Sequence, residues 1–227
     1  MEDVLETYER PYDAQEPVVC VDEKPVTLHA DIRPPSPATP GREARRDSEY
    51  ERCGTANVFC AVEPKGGRHF TSPTPDRSAF EFARFVCELA MQYPDAKTIH
   101  LVMDNLNTHT VAALYNTFEP AEARRIARKL EIHYTPKHGS WLNMAEIELS
   151  VFGRQCLTQH IPDVETLQRD GHAQTQRYRR RHSSPHKSDQ MSPVCPGKIN
   201  KDNSHDQRSF DALTQGDKEG RKHEHSS

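Results

Sequence analysis

No stretch of this sequence approaches the roughly 18 consecutive apolar residues that a membrane-spanning helix needs, so a bilayer-embedded chain is excluded. The first residues, MEDVLETYERPYD, are acidic and carry no apolar core, which argues against a secretory signal. Hydrophobic residues are scarce at 34%, aromatics make up 7%, and mean hydropathy is −0.89, low for a 227-residue chain that must bury one full core. Neither sign of charge dominates, since the formal net charge is −4. The six cysteines show no CxxC pairs, so a cysteine zinc knuckle is not expected. They read as small apolar side chains in a reducing, cytoplasmic setting.

The shortage of apolar residues is uneven. Residues 171–227 hold 11 Lys+Arg against 7 Asp+Glu, a balance of +4, with Val194, Ile199 and Leu213 as the aliphatic residues beyond Ala. Residues 1–170 carry the remaining charge, a balance of −8, and nearly all of the apolar content. So thin a supply of apolar side chains cannot offset an ordering cost of about 1–2 kcal/mol per residue. Two regions are therefore expected: a folded domain over 1–170 and a disordered tail over 171–227.

Within the first region the apolar pattern alternates between strand and helix signals. Val18–Val21 is β-branched and uninterrupted, as in a strand covered on both faces, and it runs into Asp22. The stretch 31–56, rich in Pro and charge, reads as an irregular excursion. Strands are expected near 57–62 and 68–72, joined at Gly66-Gly67. Ser78 and Glu81 form a capping box, and Phe82, Phe85, Val86, Leu89 and Tyr93 line one helix face that Pro94 ends. Ile99–Met103 is a further strand and also ends in aspartate, Asp104. Helices over 110–118 and 120–130, a strand over 131–135, a helix over 140–157 and a short helical piece after Pro162 complete the pattern. The fold class is α/β, with a mixed five-stranded sheet flanked by helices.

Two strand ends that both carry Asp suggest a particular chemistry. Carboxylates held this close resist joint ionisation unless a cation neutralises them. Their oxygens are hard ligands suited to Mg²⁺ or Mn²⁺. Two such ions about 3.5–4 Å apart promote phosphodiester hydrolysis. A third carboxylate would complete the set. On the 140–157 helix, Glu146 and Glu148 lie on opposite flanks of the apolar stripe formed by Leu142, Ala145, Leu149, Phe152 and Cys156, and helical periodicity does not choose between them. The competing reading of either Asp is a turn residue or helix cap.

Three segments, VVCVDEKP (18–25), LVMDNLNTH (101–109) and HYTPKHGSWLNMAEIELS (133–150), together resemble the DDE-type transposases of bacterial insertion sequences, in the insertion-sequence-630 branch of the Tc/mariner superfamily. The resemblance spans about residues 1–168. It implies an RNase H-like fold, two Mg²⁺ or Mn²⁺ ions and a catalytic, metal-holding triad of Asp22, Asp104 and Glu146, which selects Glu146 over Glu148. It implies DNA partners, namely transposon terminal inverted repeats and target DNA, with homodimers as a further expectation and the bacterial cytoplasm and nucleoid as the location. The same motifs carry Asn107, His109, His138, Trp141 and Asn143. His109 reads as a helix-start residue or, with His138, as a phosphate contact. Trp141 reads first as a packing anchor, and second as a platform for an unpaired base. Lys137, His138, Trp141, Asn143 and the basic run Arg124, Arg125, Arg128 are the candidate DNA contacts.

Measured against that family, the expectation is a truncated element. The helix-turn-helix modules that precede the catalytic half in the family are not seen before RPYDAQEPVVCVDEKP, and the segment after Leu167–Asp170, GHAQTQRYRRRHSSPHKS, is unlike the family's ending. A frameshift would explain the change, and the neighbouring reading frames of the coding DNA test it. The alternatives to a transposase catalytic domain are a noncatalytic remnant that binds DNA or transposase, and an RNase H.

Overall fold

A computed structural model describes residues 1–106, 109–157 and 159–169. The expectations for Asn107 and for the tail over 171–227 lie outside the described residues. Helix α1 (Glu2–Glu9) precedes three antiparallel-linked strands, β1 (Val18–Asp31), β2 (Tyr50–Glu63) and β3 (Arg68–Thr74). Then come α2 (Ala79–Met91), β4 (Ile99–Met103), α3 (Val111–Thr117), α4 (Pro120–Ala127), β5 (Leu130–Tyr134) and α5 (Ala145–Cys156). The sheet order is β3-β2-β1-β4-β5, with β4 parallel to β1 and to β5, the RNase H-like arrangement.

Alternation along the strands sends apolar side chains to both faces, as the unbroken runs imply. Val19, Val21, Phe59, Leu101 and Met103 pack under α2, α3 and α4. Cys20, Val58, Cys60 and Val102 face the other layer, where Val4 of α1 and Ala145, Leu149 and Phe152 of α5 cover them. Helix α2 starts as its sequence suggests: the Ser78 hydroxyl accepts the Glu81 N–H at 3.4 Å. The Glu81 carboxylate, however, pairs with Arg84 at 3.5 Å.

The structure departs from the sequence pattern at several points. Strands β1 and β2 run well past their apolar segments as a long hairpin, so the irregular excursion shrinks to 32–49. Pro25 lies inside β1 opposite Asn57; β4 pairs with β1 only over Val18–Cys20, so no strand on that side asks for the missing N–H. Cys53 is the extra residue of a bulge between Leu28 and His29, beside Gly54 at φ 107°, a backbone conformation suited to glycine. The expected 140–157 helix breaks into a 3-10 turn over Ser140–Leu142 followed by α5. Helix α1 has no counterpart in the sequence reading. Cys87 is fully buried in α2. Among the described residues no helix is long and apolar enough to cross a membrane.

Candidate active site

The register brings Asp22, inside β1 rather than at its expected end, level with Asp104 just past β4. Cys20 of β1 lies opposite Val102 of β4, and both side chains face the α5 layer. Two residues further on come Asp22 and Asp104, so the two carboxylates meet at one end of the sheet. Ala145, Leu149 and Phe152 anchor α5 across it and carry Glu146 to the same end of the sheet.

Their electrostatics record the convergence. The Asp22 carboxyl is pushed up to about 7, first by burial, then by the charges of Glu23, Asp104 and Glu146, against the Glu23 N–H that its Oδ1 accepts at 2.8 Å. Glu148 turns instead toward β3, where its carboxylate stands 3.4 Å from His69 Nδ1. The two glutamates that periodicity leaves equivalent therefore occupy different surroundings.

Alternation sends Glu23 to the opposite face from Asp22, into the α2 layer with Val19 and Val21. There it meets His109. The His109 ring is stacked on Phe82, with centroids 4.6 Å apart, and is only 1% exposed. Its Nδ1 lies 2.8 Å from Asp104 Oδ1, and its Nε2 lies 3.4 Å from Glu23 Oε2. The Tyr134 hydroxyl donates to the His109 carbonyl at 3.3 Å. His109 is thus an internal link between two carboxylates, and its burial rules out the expected phosphate contact. Glu23 is absent from the residues picked by sequence; its signal was its place directly after Asp22 in a strand, which must direct it at whatever packs on the other face. Burial, its largest influence, raises the Glu23 carboxyl above the usual range.

Asn143 also changes role. It is 3% exposed; its Nδ2 donates to the Val21 carbonyl at 2.8 Å, and its Oδ1 accepts the Ala145 N–H at 3.2 Å. It cannot reach DNA. It braces the residue before Asp22 against the residue before Glu146. Trp141, expected first as a packing anchor, is 70% exposed on the turn ahead of α5. Lys137 and His138 are exposed on the loop that leaves β5 at the carboxylate end. The basic run does not join them. Arg124, Arg125 and Arg128 lie on or just after α4, which leads into the start of β5 opposite Ile99. The length of β4, about 15 Å, separates that end from Asp104. Arg125 is moreover engaged with Glu122 at 2.6 Å.

The donor set suits a hard divalent cation. Three carboxylates converge with the charge of Asp22 suppressed, and Glu23 Oε2 and His109 Nε2 are buried without a hydrogen-bond partner. Glu23, Asp104 and His109 also offer ligand atoms within 4.8 Å of one another. All-oxygen ligation by Asp22, Asp104 and Glu146 fits Mg²⁺ or Mn²⁺.

A family model described as DDE superfamily endonuclease matches residues 17–168, about two thirds of the chain, from the residue before β1 to the helix over 164–169. No curated protein matches the sequence.

Proposed function

Because this chain belongs to the DDE superfamily of endonucleases, we propose that it is the catalytic domain of an insertion-sequence transposase, of the insertion-sequence-630 branch, that cuts DNA at transposon ends and joins the freed 3′-hydroxyl to target DNA. The observation that carries this reading is the delivery of three carboxylates, Asp22, Asp104 and Glu146, to one sheet end by β1, β4 and α5, where burial first and the neighbouring carboxylates after it raise the Asp22 carboxyl. Asp22, Asp104 and Glu146 would together hold the cations. Two Mg²⁺ or Mn²⁺ ions bound there would supply Lewis-acid activation of the attacking group and neutralise the leaving oxygen of an in-line phosphodiester displacement.

The protein's own groups orient those ligands. His109 engages Asp104 Oδ1 at 2.8 Å and so fixes the orientation of that carboxylate. Such outer partners typically contribute about 10–100-fold in metal affinity or activity. His109→Phe keeps the stacking on Phe82 and removes the link. Its Mn²⁺ affinity, read by titration of the folded variant, is expected to fall within that range, and its metal-free melting temperature to fall as well, because Glu23 and Asp104 lose their buried partner. Equal affinity in the two proteins would remove His109 from this role.

DNA enters over the loop between β5 and α5, where Lys137 and His138 meet phosphates and Trp141 offers an exposed ring for an unpaired base. Stacking of this kind is worth about 1–3 kcal/mol per base. Trp141→Ala should weaken binding of a duplex with a single-stranded end about 5- to 100-fold, with no change in melting temperature, because the ring is exposed. The same weakening on blunt duplex would instead indicate a general contact.

Plasmid nicking decides the function. The full chain should nick supercoiled DNA in Mn²⁺ and not in EDTA. Preferential cleavage of an RNA–DNA hybrid would replace the transposase with an RNase H, and DNA binding without any metal-dependent cleavage would leave a noncatalytic remnant. Two copies acting at paired transposon ends in the bacterial nucleoid complete the reading.

A further inference from the structure

A second cluster of metal-ligand side chains lies away from the carboxylates, under α1 and at the edge of the sheet. His100 enters β4 at its second residue, and His133 and Glu131 sit on the neighbouring edge strand β5, with Glu131 directly opposite His100 in the register. All three point to the face that α1 covers. His100 Nδ1 and His133 Nε2 are 3.2 Å apart; Glu131 Oε2 stands 3.6 Å from the first and Glu131 Oε1 3.7 Å from the second. Ligands bound to a tetrahedral Zn²⁺ at about 2.0–2.1 Å lie about 3.3–3.4 Å from one another. The two imidazole nitrogens are already at nearly this spacing, and each has a Glu131 oxygen a few tenths of an ångström further out.

The surroundings prepare one of the imidazoles for a metal. His133 Nδ1 lies 2.9 Å from the Asp3 carboxylate and 3.3 Å from the Thr7 hydroxyl, both on α1. A carboxylate accepts only, so Nδ1 carries the proton and the Nε2 lone pair faces the cluster. A carboxylate behind a histidine in this way is the usual outer support of a zinc ligand. Both histidines are buried, whereas the Glu131 side chain is 52% exposed and leaves a path from solvent.

We propose that His100, His133 and Glu131 form a Zn²⁺ site that is separate from the carboxylate centre, that Asp3 supports it from outside, and that its occupation fastens α1 to the sheet edge. The metal-free form is a hydrogen-bonded relay. Arg10 Nη1 lies 2.8 Å from His100 Nε2, so Arg10 donates to His100, His100 Nδ1 donates to His133, and His133 donates to Asp3. Zinc takes the place of the proton between the two rings. That proton moves to His100 Nε2, and the exposed Arg10 side chain must turn aside to make room for it. Arg10 is therefore a competitor of the metal, and a purely structural relay would not make it one. The site does not depend on the reading of the carboxylate centre.

The carboxylate centre and the tail histidines 172, 182, 186, 205, 223 and 225 also offer zinc ligands, so the test reads differences within one background. In the full chain carrying Asp22→Asn and Glu146→Gln, zinc is titrated in competition with a chromophoric chelator. Glu131→Ala, at an exposed position, should lower the affinity of one equivalent at least tenfold and abolish the zinc-induced rise in melting temperature, with metal-free stability unchanged. His133→Ala should do the same. Arg10→Ala should tighten that equivalent severalfold. Cobalt should give a tetrahedral visible spectrum that Glu131→Ala loses. Unchanged zinc stoichiometry and affinity in Glu131→Ala would overturn the proposal and leave a relay that only holds α1. That variant decides the matter even where His133→Ala fails to fold.

Discussion

Asp22→Asn is expected to abolish most DNA nicking and, at the same time, to stabilise the metal-free protein at pH 8. The activity loss should be about 10²–10³-fold, the scale of removing one preorganised group that stabilises transition-state charge. Asparagine retains the oxygen that accepts the Glu23 N–H, so the fold is preserved and only the charge is lost. The stability gain follows from proton linkage. In the folded protein Asp22 titrates near 7 instead of near 3.8. Between those values the native state binds a proton that the unfolded chain does not, so this group's contribution is present at low pH and is lost as pH rises through 7. The variant has no such loss. Its melting temperature should match the parent's below pH 3.8, exceed it by a growing margin as pH rises towards 7, and exceed it most at pH 8. Glu23, Glu63, Glu81 and Glu88, whose carboxyls burial also raises, titrate in both proteins and cancel in the comparison. Addition of Mn²⁺ at pH 8 should raise the parent's melting temperature and leave the variant's nearly unchanged. A parent that is no less stable than the variant at pH 8 would show that the three carboxylates do not crowd one another.

Asn143→Leu is expected to be the most destabilising of these changes. It removes the donor to the buried Val21 carbonyl and the acceptor for the buried Ala145 N–H. Each backbone group left without a partner costs about 1–3 kcal/mol, so the two together cost about 2–6 kcal/mol, measurable by urea unfolding. The consequence for catalysis exceeds the stability loss. Val21 precedes Asp22 and Ala145 precedes Glu146, and the amide is the tie that holds those two positions together. Nicking should fall well below the parent's even at temperatures where the variant remains folded. A variant that loses stability but keeps full activity when folded would show that packing of Ala145, Leu149 and Phe152 alone sets the position of Glu146.

The contrast between α2 and α1 shows what could be read along the chain. Helix α2 carries its own start signal at Ser78, a full apolar face and a proline stop, so its local preferences and its tertiary role coincide. Helix α1 buries Val4 and Thr7, too few positions for a periodic stripe, and owes its place to Asp3, Thr7 and Tyr8 reaching His133 and Leu142, more than a hundred residues away. The long hairpin of β1 and β2 was hidden for a similar reason: Pro25 and the charged 50–56 segment argue against a strand until the partner that pairs with them is known.

By itself, the order of residues determined the α/β class, the strand that stops before Asp104 and, through its motifs, the family, whereas Asp22, expected at a strand end, lies within β1, which its pairing with β2 extends to Asp31. Both signals are local: alternation and periodicity fix which side chains a strand or helix presents, and a motif is a run of neighbours. Only the tertiary structure decided that Glu146 faces Asp22 while Glu148 faces His69, that His109 and Asn143 are internal braces, that Trp141 is bare and that the arginines of α4 lie at the far end of the sheet. Each of these depends on which element packs against which, and at what register. Such relations arise between segments distant in the chain, where no pattern of neighbouring residues records them.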